Sequence, residues 1–254
     1  MESYALELIR KGRRVDGRKF DEFRKVEVKA GVVGKAEGSA SVKIGETEVI
    51  AGVKMEIGTP YLDSPNEGVL IVSAEFSPIA SPNFEAGPPT EDAVELARVV
   101  DRGLRESECI ELDKLCLEPA KKCWMVFVDI HIINHQGNLL DASALASLVA
   151  LLNTKIPKIE GEKIIRGEYT GKLPVVHKPI NITVGKVGEQ LILDPNIEEE
   201  EILDSKLAVA VREDDKICAL QKQGRKGFGL VDVERMVDVA ITKSKEIREL
   251  IKWV

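Results

Sequence analysis

Apolar residues recur along this chain with two periods, and the switches between them mark out its elements. From Ser3 to Lys11 the spacing is helical, with Ser3 placed to cap a short helix and Gly12 to stop it. Two-residue alternation then predicts strands over Arg24–Ala30, Ser39–Ile44 and Glu48–Ile57, and Gly45-Glu46 suits a hairpin turn between the last two. Val69–Phe76 predicts another strand, bracketed by the turn-rich Asp63–Gly68 and the loop Ser77–Pro89. Helical spacing returns after Thr90, a capping residue followed by Glu91 and Asp92, and runs to about Ser107. Cys123–Ile133 is the longest strand expected, partly alternating and largely buried. It leads to a second helix, expected to open with Asp141 as its N-cap and to end before Pro157. That helix is apolar nearly all round and so must be covered on most sides.

After Pro157 the composition turns to Lys, Glu and Gly, and Lys158–Pro174 reads as a linker or long excursion. Beyond it, Ile180–Lys186, Gln190–Asp194, Lys206–Val211 and Ile217–Lys222 predict strands, and Asp232 to Trp253 a closing helix. Both halves place strands before helices. This favours an α+β fold of two similar strand-rich units, each packed with helices, divided into residues 1–173 and 174–254.

Composition narrows the class. The 254 residues are 44% apolar and 31% charged, as in an ordinary globular protein, while aromatics at 4% leave the core to Val, Ile, Leu and Ala. A net charge of −7 argues against a protein that coats nucleic acid over its whole surface, yet leaves room for a local basic groove. Cys109, Cys116, Cys123 and Cys218 form no C-x-x-C pair and are expected to be reduced core thiols. No apolar run approaches the ~20 residues of a membrane span. The N-terminal MESYALELIR lacks the basic start and apolar core of a secretion signal, so a soluble, cytoplasmic protein is expected.

Candidate chemistry follows from spacing. In ELARVVDRGLRES, Arg98, Arg102 and Arg105 stand at i, i+4 and i+7 and fall on one narrow helical stripe. Such a stripe either tracks successive phosphates with paired guanidinium donors, or is a solvated face whose arginines pair with Glu95, Asp101 and Glu106. The turn HQGNLLDAS stands between a strand end and a helix start, a favourable place for an anion, but it supplies no cation and puts Leu139 and Leu140 where a donor would be wanted. The acidic run LDPNIEEEEILDS reads as a solvated turn or, alternatively, a divalent-metal or general-acid site. His131 alternates with Asp129 on the long strand, as a hydrogen-bonded core pair would, and no Ser-His-Asp order is present. GRKGFG (Gly224–Gly229) has neither Walker nor dinucleotide spacing and reads as a flexible turn exposing Arg225 and Lys226.

Taken together, RRVDGRKFDEFR (Arg13–Arg24), DSPNEG (Asp63–Gly68), FEAGPPTEDAVELARVVDRGLRES (Phe84–Ser107), GNLLDASALASLVALLNT (Gly137–Thr154) and LDPNIEEE (Leu193–Glu200) resemble the RNase PH superfamily. Within it they look most like the catalytically silent RNase PH-like subunit of the archaeal exosome core. The segments are collinear and fall in both halves. Active members carry a Gly-Thr-Arg-Thr turn that binds the attacking phosphate; the corresponding residues here are Asn138, Leu139, Leu140 and Asp141, so Leu140 replaces the arginine. Of the family's two aspartates six residues apart, Asp194 matches the first and Glu200 stands in for the second. The resemblance implies an RNase PH fold with no catalytic residue, no metal and no cofactor of its own, and RNA contacts through Arg98, Arg102 and Arg105. It also implies a hexameric ring of three heterodimers with an active RNase PH-like subunit, topped by RNA-binding cap subunits, acting on single-stranded RNA. An active phosphate-dependent exoribonuclease using Asp194 and Glu200 is the alternative, and an unrelated carboxylate-metal enzyme a more distant one.

Overall fold

The structure, a computed structural model, describes residues 4–161 and 163–254. Helix α1 spans Tyr4–Arg10, and Ser3, read above as its cap, lies outside the described residues. Strands β1 (Val26–Ala30), β2 (Gly38–Ile44), β3 (Thr47–Gly58) and β4 (Val69–Phe76) follow, with Gly45 at φ 58° in the β2–β3 turn. Helix α2 covers Glu91–Glu106 and is capped by Thr90, whose hydroxyl accepts from the Ala93 amide at 3.3 Å. A short strand β5 (Cys116–Glu118), too brief to show a period, precedes the long β6 (Lys122–Asn134). These strands form one sheet in the order β1-β2-β3-β6-β4, antiparallel except for β4 beside β6, and β5 adds to β6.

Helix α3 (Leu139–Leu152) packs on β2 and β3 of this sheet and on β9 (Ile180–Val187) of a second one. Contact on two sides accounts for its all-round apolar sequence. It opens two residues before Asp141: Asn138, at φ 53°, is the N-cap, and Asp141 lies in the first turn. The cap expectation for Asp141 fails because its carboxylate has stronger partners in β9 than the free amides of its own helix. At Gly38 the sheet comes close to α3: a Cβ there would lie 2.3 Å from the Ala150 carbonyl oxygen.

The supposed linker is a hairpin of β7 (Lys155–Glu160) and β8 (Lys163–Lys172). Its alternation is hidden by Pro157, where the pairing register shifts, and by charged residues that pair with each other, as Lys158 does with Glu168 at 3.0 Å. The second sheet runs β10-β9-β11-β12, all antiparallel, with β10 at Gln190–Leu193, β11 at Ser205–Val211 and β12 at Ile217–Gly224. A single helical turn, α4 (Ile197–Glu200), connects β10 to β11, and α5 (Leu230–Glu249) packs on β9 and β11. One hydrophobic cluster runs from Val42 and Val53 in the first sheet through Leu148 to Ile182 and Val209 in the second. Among the described residues no helix is long and apolar enough to cross a membrane.

The acidic run is no solvated turn. Glu199 is fully buried, and its carboxylate accepts from Arg14 Nε at 2.8 Å and Nη2 at 2.5 Å, with both side chains sealed from solvent. Arg14 also donates to the carbonyls of Leu193 and Asp194, each at 2.9 Å, which fastens the N-terminal segment to the second sheet. Removing one partner of a buried pair strands the other charge at a cost of about 3–5 kcal/mol. Glu199→Gln is therefore expected to lower unfolding free energy in urea by about that amount, whereas substitution of the exposed Glu198 leaves the denaturation midpoint nearly unchanged.

Candidate nucleic-acid interface

Two places bear on function: the exposed face of α2 and the turn that leads into α3. On α2, Ala93, Leu96, Ala97, Val100 and Leu104 face the core, which turns Arg98, Arg102 and Arg105 outward together. Their surroundings differ. Arg105 is engaged within the protein: it donates to both Asp101 oxygens at 3.2 and 2.8 Å and to the Leu70 carbonyl at 3.0 Å. Asp101 raises the Arg105 pKa further. Arg102 donates instead to a neutral acceptor, Gln221 Oε1 on β12, at 3.0 Å. Arg98 forms no ion pair among the described residues. It lines a cleft with Pro89, Val94, Glu95, Arg102 and Gln221. Glu91 lines the same cleft, but neither Arg98 nor Arg102 is ion-paired among the described residues, and two guanidinium groups one turn apart on the solvent face suit a polyanion.

The turn before α3 is built around Asp194. This residue follows β10 in the left-handed region, at φ 47°, and is fully buried. Arg24 reaches it through Nε at 2.9 Å and Nη2 at 2.7 Å, Arg18 through Nη1 at 3.0 Å, and Asn138 Nδ2 donates to it at 2.8 Å. Burial raises the Asp194 pKa, but the hydrogen bonds and charge of Arg24 outweigh it and hold the group below its ordinary value. Arg24 also donates to the carbonyls of Gln136 and Gly137, at 2.6 and 3.1 Å, locking the turn. Gly137 adopts φ +88° and passes so close to Asn196 that a Cβ would lie 2.5 Å from its carbonyl carbon. Spacing gave no sign of this cluster, because Arg18 and Arg24 stand some 170 residues from Asp194.

Leu140, where the resemblance would place an arginine, is buried, and with Leu139 it borders a cavity of about 270 Å³. The aromatic wall is a stack: Phe76 on Phe84 at 4.7 Å and Phe84 on His135 at 5.4 Å between ring centres. Burial holds His135 below the ordinary imidazole value. The charged groups in the lining are Asp92, Glu95, Glu200 and Lys206, and Lys206 is paired with Glu200 at 2.8 Å. The cavity is net negative.

Other candidates resolve differently from their expectations. His131 is half-exposed and lies 3.4 Å from Glu75, while Asp129 accepts from Ser73 at 2.7 Å. The expected His131–Asp129 pair does not form, because β4 sets Ser73 beside Asp129 and Glu75 beside His131 in register. Cys109 and Cys123 are buried thiols, but Cys116 and Cys218 are only partly covered. Lys226 is exposed as expected, though paired with Asp204 at 2.6 Å. Among the described residues no group of three or more His, Cys, Asp or Glu is arranged to hold a metal.

Asp141 has an ordinary value of 3.8, and burial pushes it up to about 6 against the four donors it meets. Asn138 Nδ2 and the Thr183 amide reach one oxygen at 2.9 and 2.8 Å, while Asn181 Nδ2 and Thr183 Oγ1 reach the other, both at 2.7 Å. A carboxyl with a raised folded pKa stabilises the fold most when protonated, so this contribution is lost as pH rises from 3.8 through about 6. Carbon-13 spectra are expected to show Asp141 titrating near 6, while Asp194 remains charged to below the ordinary carboxylate range.

With this geometry in view, comparison with known proteins is specific. Residues 22–157 match the model of the 3′ exoribonuclease family, domain 1 (RNase PH), and residues 177–243 that of its domain 2. The Exosome complex component Rrp42 of Methanopyrus kandleri is 50% identical over 250 residues, covering 97% of this chain and 94% of that protein. That of Archaeoglobus fulgidus is 49% identical over 254 residues, covering 99% and 95%. A subunit in the structure of the Archaeoglobus fulgidus exosome with RNA bound to the active site superposes with a TM-score of 0.91 at 46% identity, covering 98% of this chain and 96% of that one. A chain of an archaeal exosome core gives 0.87 at 45% identity, covering 98% and 95%. The two sheets sharing helix α3 are the RNase PH fold, and the chain belongs to the 3′ exoribonuclease family of RNase PH proteins.

Proposed function

We propose that this chain is a non-catalytic, RNA-binding and structural subunit of an archaeal exosome, a ring that degrades RNA from the 3′ end by phosphorolysis. The bonds are broken by an active RNase PH-like partner, with which it forms a hexamer of three heterodimers beneath RNA-binding cap subunits. Residues 1–173 and 174–254 are its two RNase PH-like domains, and it works in the cytoplasm.

The observation that carries the RNA role is the pair Arg98 and Arg102 on the solvent face of α2, neither of them ion-paired among the described residues. Guanidinium groups one helical turn apart grip a phosphodiester backbone without reading bases. Arg105 belongs to the same stripe, but its ties to Asp101 and Leu70 reduce its share.

Silence is supported at the turn. Phosphate attack needs a cation beside the incoming anion; Leu140 offers none, and the cavity next to it holds three carboxylates against one ion-paired lysine. Asp194 is saturated by Arg18, Arg24 and Asn138, so it has no proton to give a leaving group at neutral pH. These features weigh against the active-enzyme alternative.

The purified chain without its partner, given single-stranded RNA and inorganic phosphate, is expected to release no nucleoside diphosphate by chromatography; turnover above background would overturn the silent assignment. In the assembled ring, Arg98→Glu with Arg102→Glu is expected to weaken RNA binding and to make the slope of log affinity against log salt shallower by about one for each phosphate left without its arginine. Unchanged affinity in a ring of intact mass would remove the RNA role from α2.

A further inference from the structure

The two free arginines of α2 owe their freedom to neighbours. Within one turn of Arg98 on its own helix stand two carboxylates, Glu95 at i−3 and Asp101 at i+3, either of which would ordinarily take up its charge. Asp101 is occupied by Arg105 at 2.8 Å. Glu95 is occupied by neutral donors from another part of the chain: Gln223 Nε2 at 2.8 Å and Gln221 Nε2 at 3.3 Å both reach its Oε1. The same Gln221 turns its Oε1 to Arg102 at 3.0 Å. Gln221 and Gln223 alternate on β12 and so project from one face of the edge strand that runs beside α2.

An amide pair resolves a local electrostatic conflict. Glu95 is half-buried between helix and strand and needs donors. Supplied by lysine or arginine, those donors would consume a cation; left to itself, Glu95 would draw in Arg98. Glutamine holds Glu95 through Oε1 with no charge of its own, and its oxygen orients Arg102 with a neutral acceptor that leaves the guanidinium's positive charge intact.

We infer that Gln221 and Gln223 are positioning residues of the RNA path: by occupying Glu95 and steadying Arg102, they keep Arg98 and Arg102 available to the phosphates of single-stranded RNA. The inference rests on the RNA role proposed for α2 and assigns part of that role to the second sheet, where the arginine stripe gives no hint of it.

The test uses the ring assembled with its partner and a fluorescein-labelled single-stranded oligoadenylate, with affinity measured across a salt series. Gln221→Leu with Gln223→Leu is expected to weaken binding by roughly threefold to tenfold and to flatten the salt slope by about one, as when one phosphate is no longer neutralised. Adding Glu95→Gln is expected to restore both, since the carboxylate released by the leucine pair is then gone. A flattened slope that Glu95→Gln does not restore would make the glutamines merely structural and overturn the inference. An unchanged slope in the leucine pair, beside a clear loss in Arg98→Ala with Arg102→Ala, would overturn it while leaving the RNA path in place. No loss in the arginine pair either would remove both. Should the leucine pair fail to assemble, Gln221→Asn with Gln223→Asn, one methylene too short to bridge the two elements, is read by the same outcomes.

Discussion

Asp194 is a fully buried carboxylate on which three distant stretches of chain converge: Arg18 and Arg24 from the N-terminal segment, Asn138 from the turn before α3, and its own strand end in the second sheet. A carboxylate in that position is tolerable only because guanidinium and amide donors replace the water it has given up. Its satisfaction fixes the surrounding geometry. Arg24 holds the carbonyls of Gln136 and Gly137, the turn sets where α3 begins, and α3 sets the distance between the two sheets. Arg14 and Glu199 repeat the device a few residues further along the chain.

The consequence for function is a separation of charges. Cations near the α3 turn are turned inward and neutralised by Asp194 and Glu199, so the cavity beside Leu140 keeps its negative lining. On α2 two carboxylates are engaged, Asp101 by Arg105 and Glu95 by the glutamines of β12, and Arg98 and Arg102 are left facing solvent without an ion-pair partner among the described residues. A chain with net charge −7 can thereby present solvent-facing guanidinium groups where a nucleic-acid strand would lie.

Much of this is legible along the chain itself. Thr90, the core face of α2 and the outward arginines follow from a 3.6-residue period, and most strands of both sheets from a period of two. The resemblance carried by the segments around Arg13–Arg24, Phe84–Ser107 and Gly137–Thr154 supplies the fold. Polar residues mislead when read locally. Asp141 looks like a helix cap until Thr183 and Asn181 of β9 claim it, and His131 seems to belong with Asp129 until β4 sets Glu75 opposite. Lys158–Pro174 looks irregular because the pairing register shifts at Pro157 and charged residues such as Lys158 and Glu168 pair across the strands.

Most element types, the burial of α3 and the direction in which Arg98, Arg102 and Arg105 point can be read along the chain, because each depends on neighbours within a few residues. Which of those arginines is free, which carboxylates are neutralised and how Asp194 is held emerge once the chain is folded. Apart from the Asp101–Arg105 pair within α2, those outcomes depend on partners more than a hundred residues away, such as Gln221 for Arg102 and Arg24 for Asp194, and electrostatic pairing acts through distance in space, to which sequence separation is no guide.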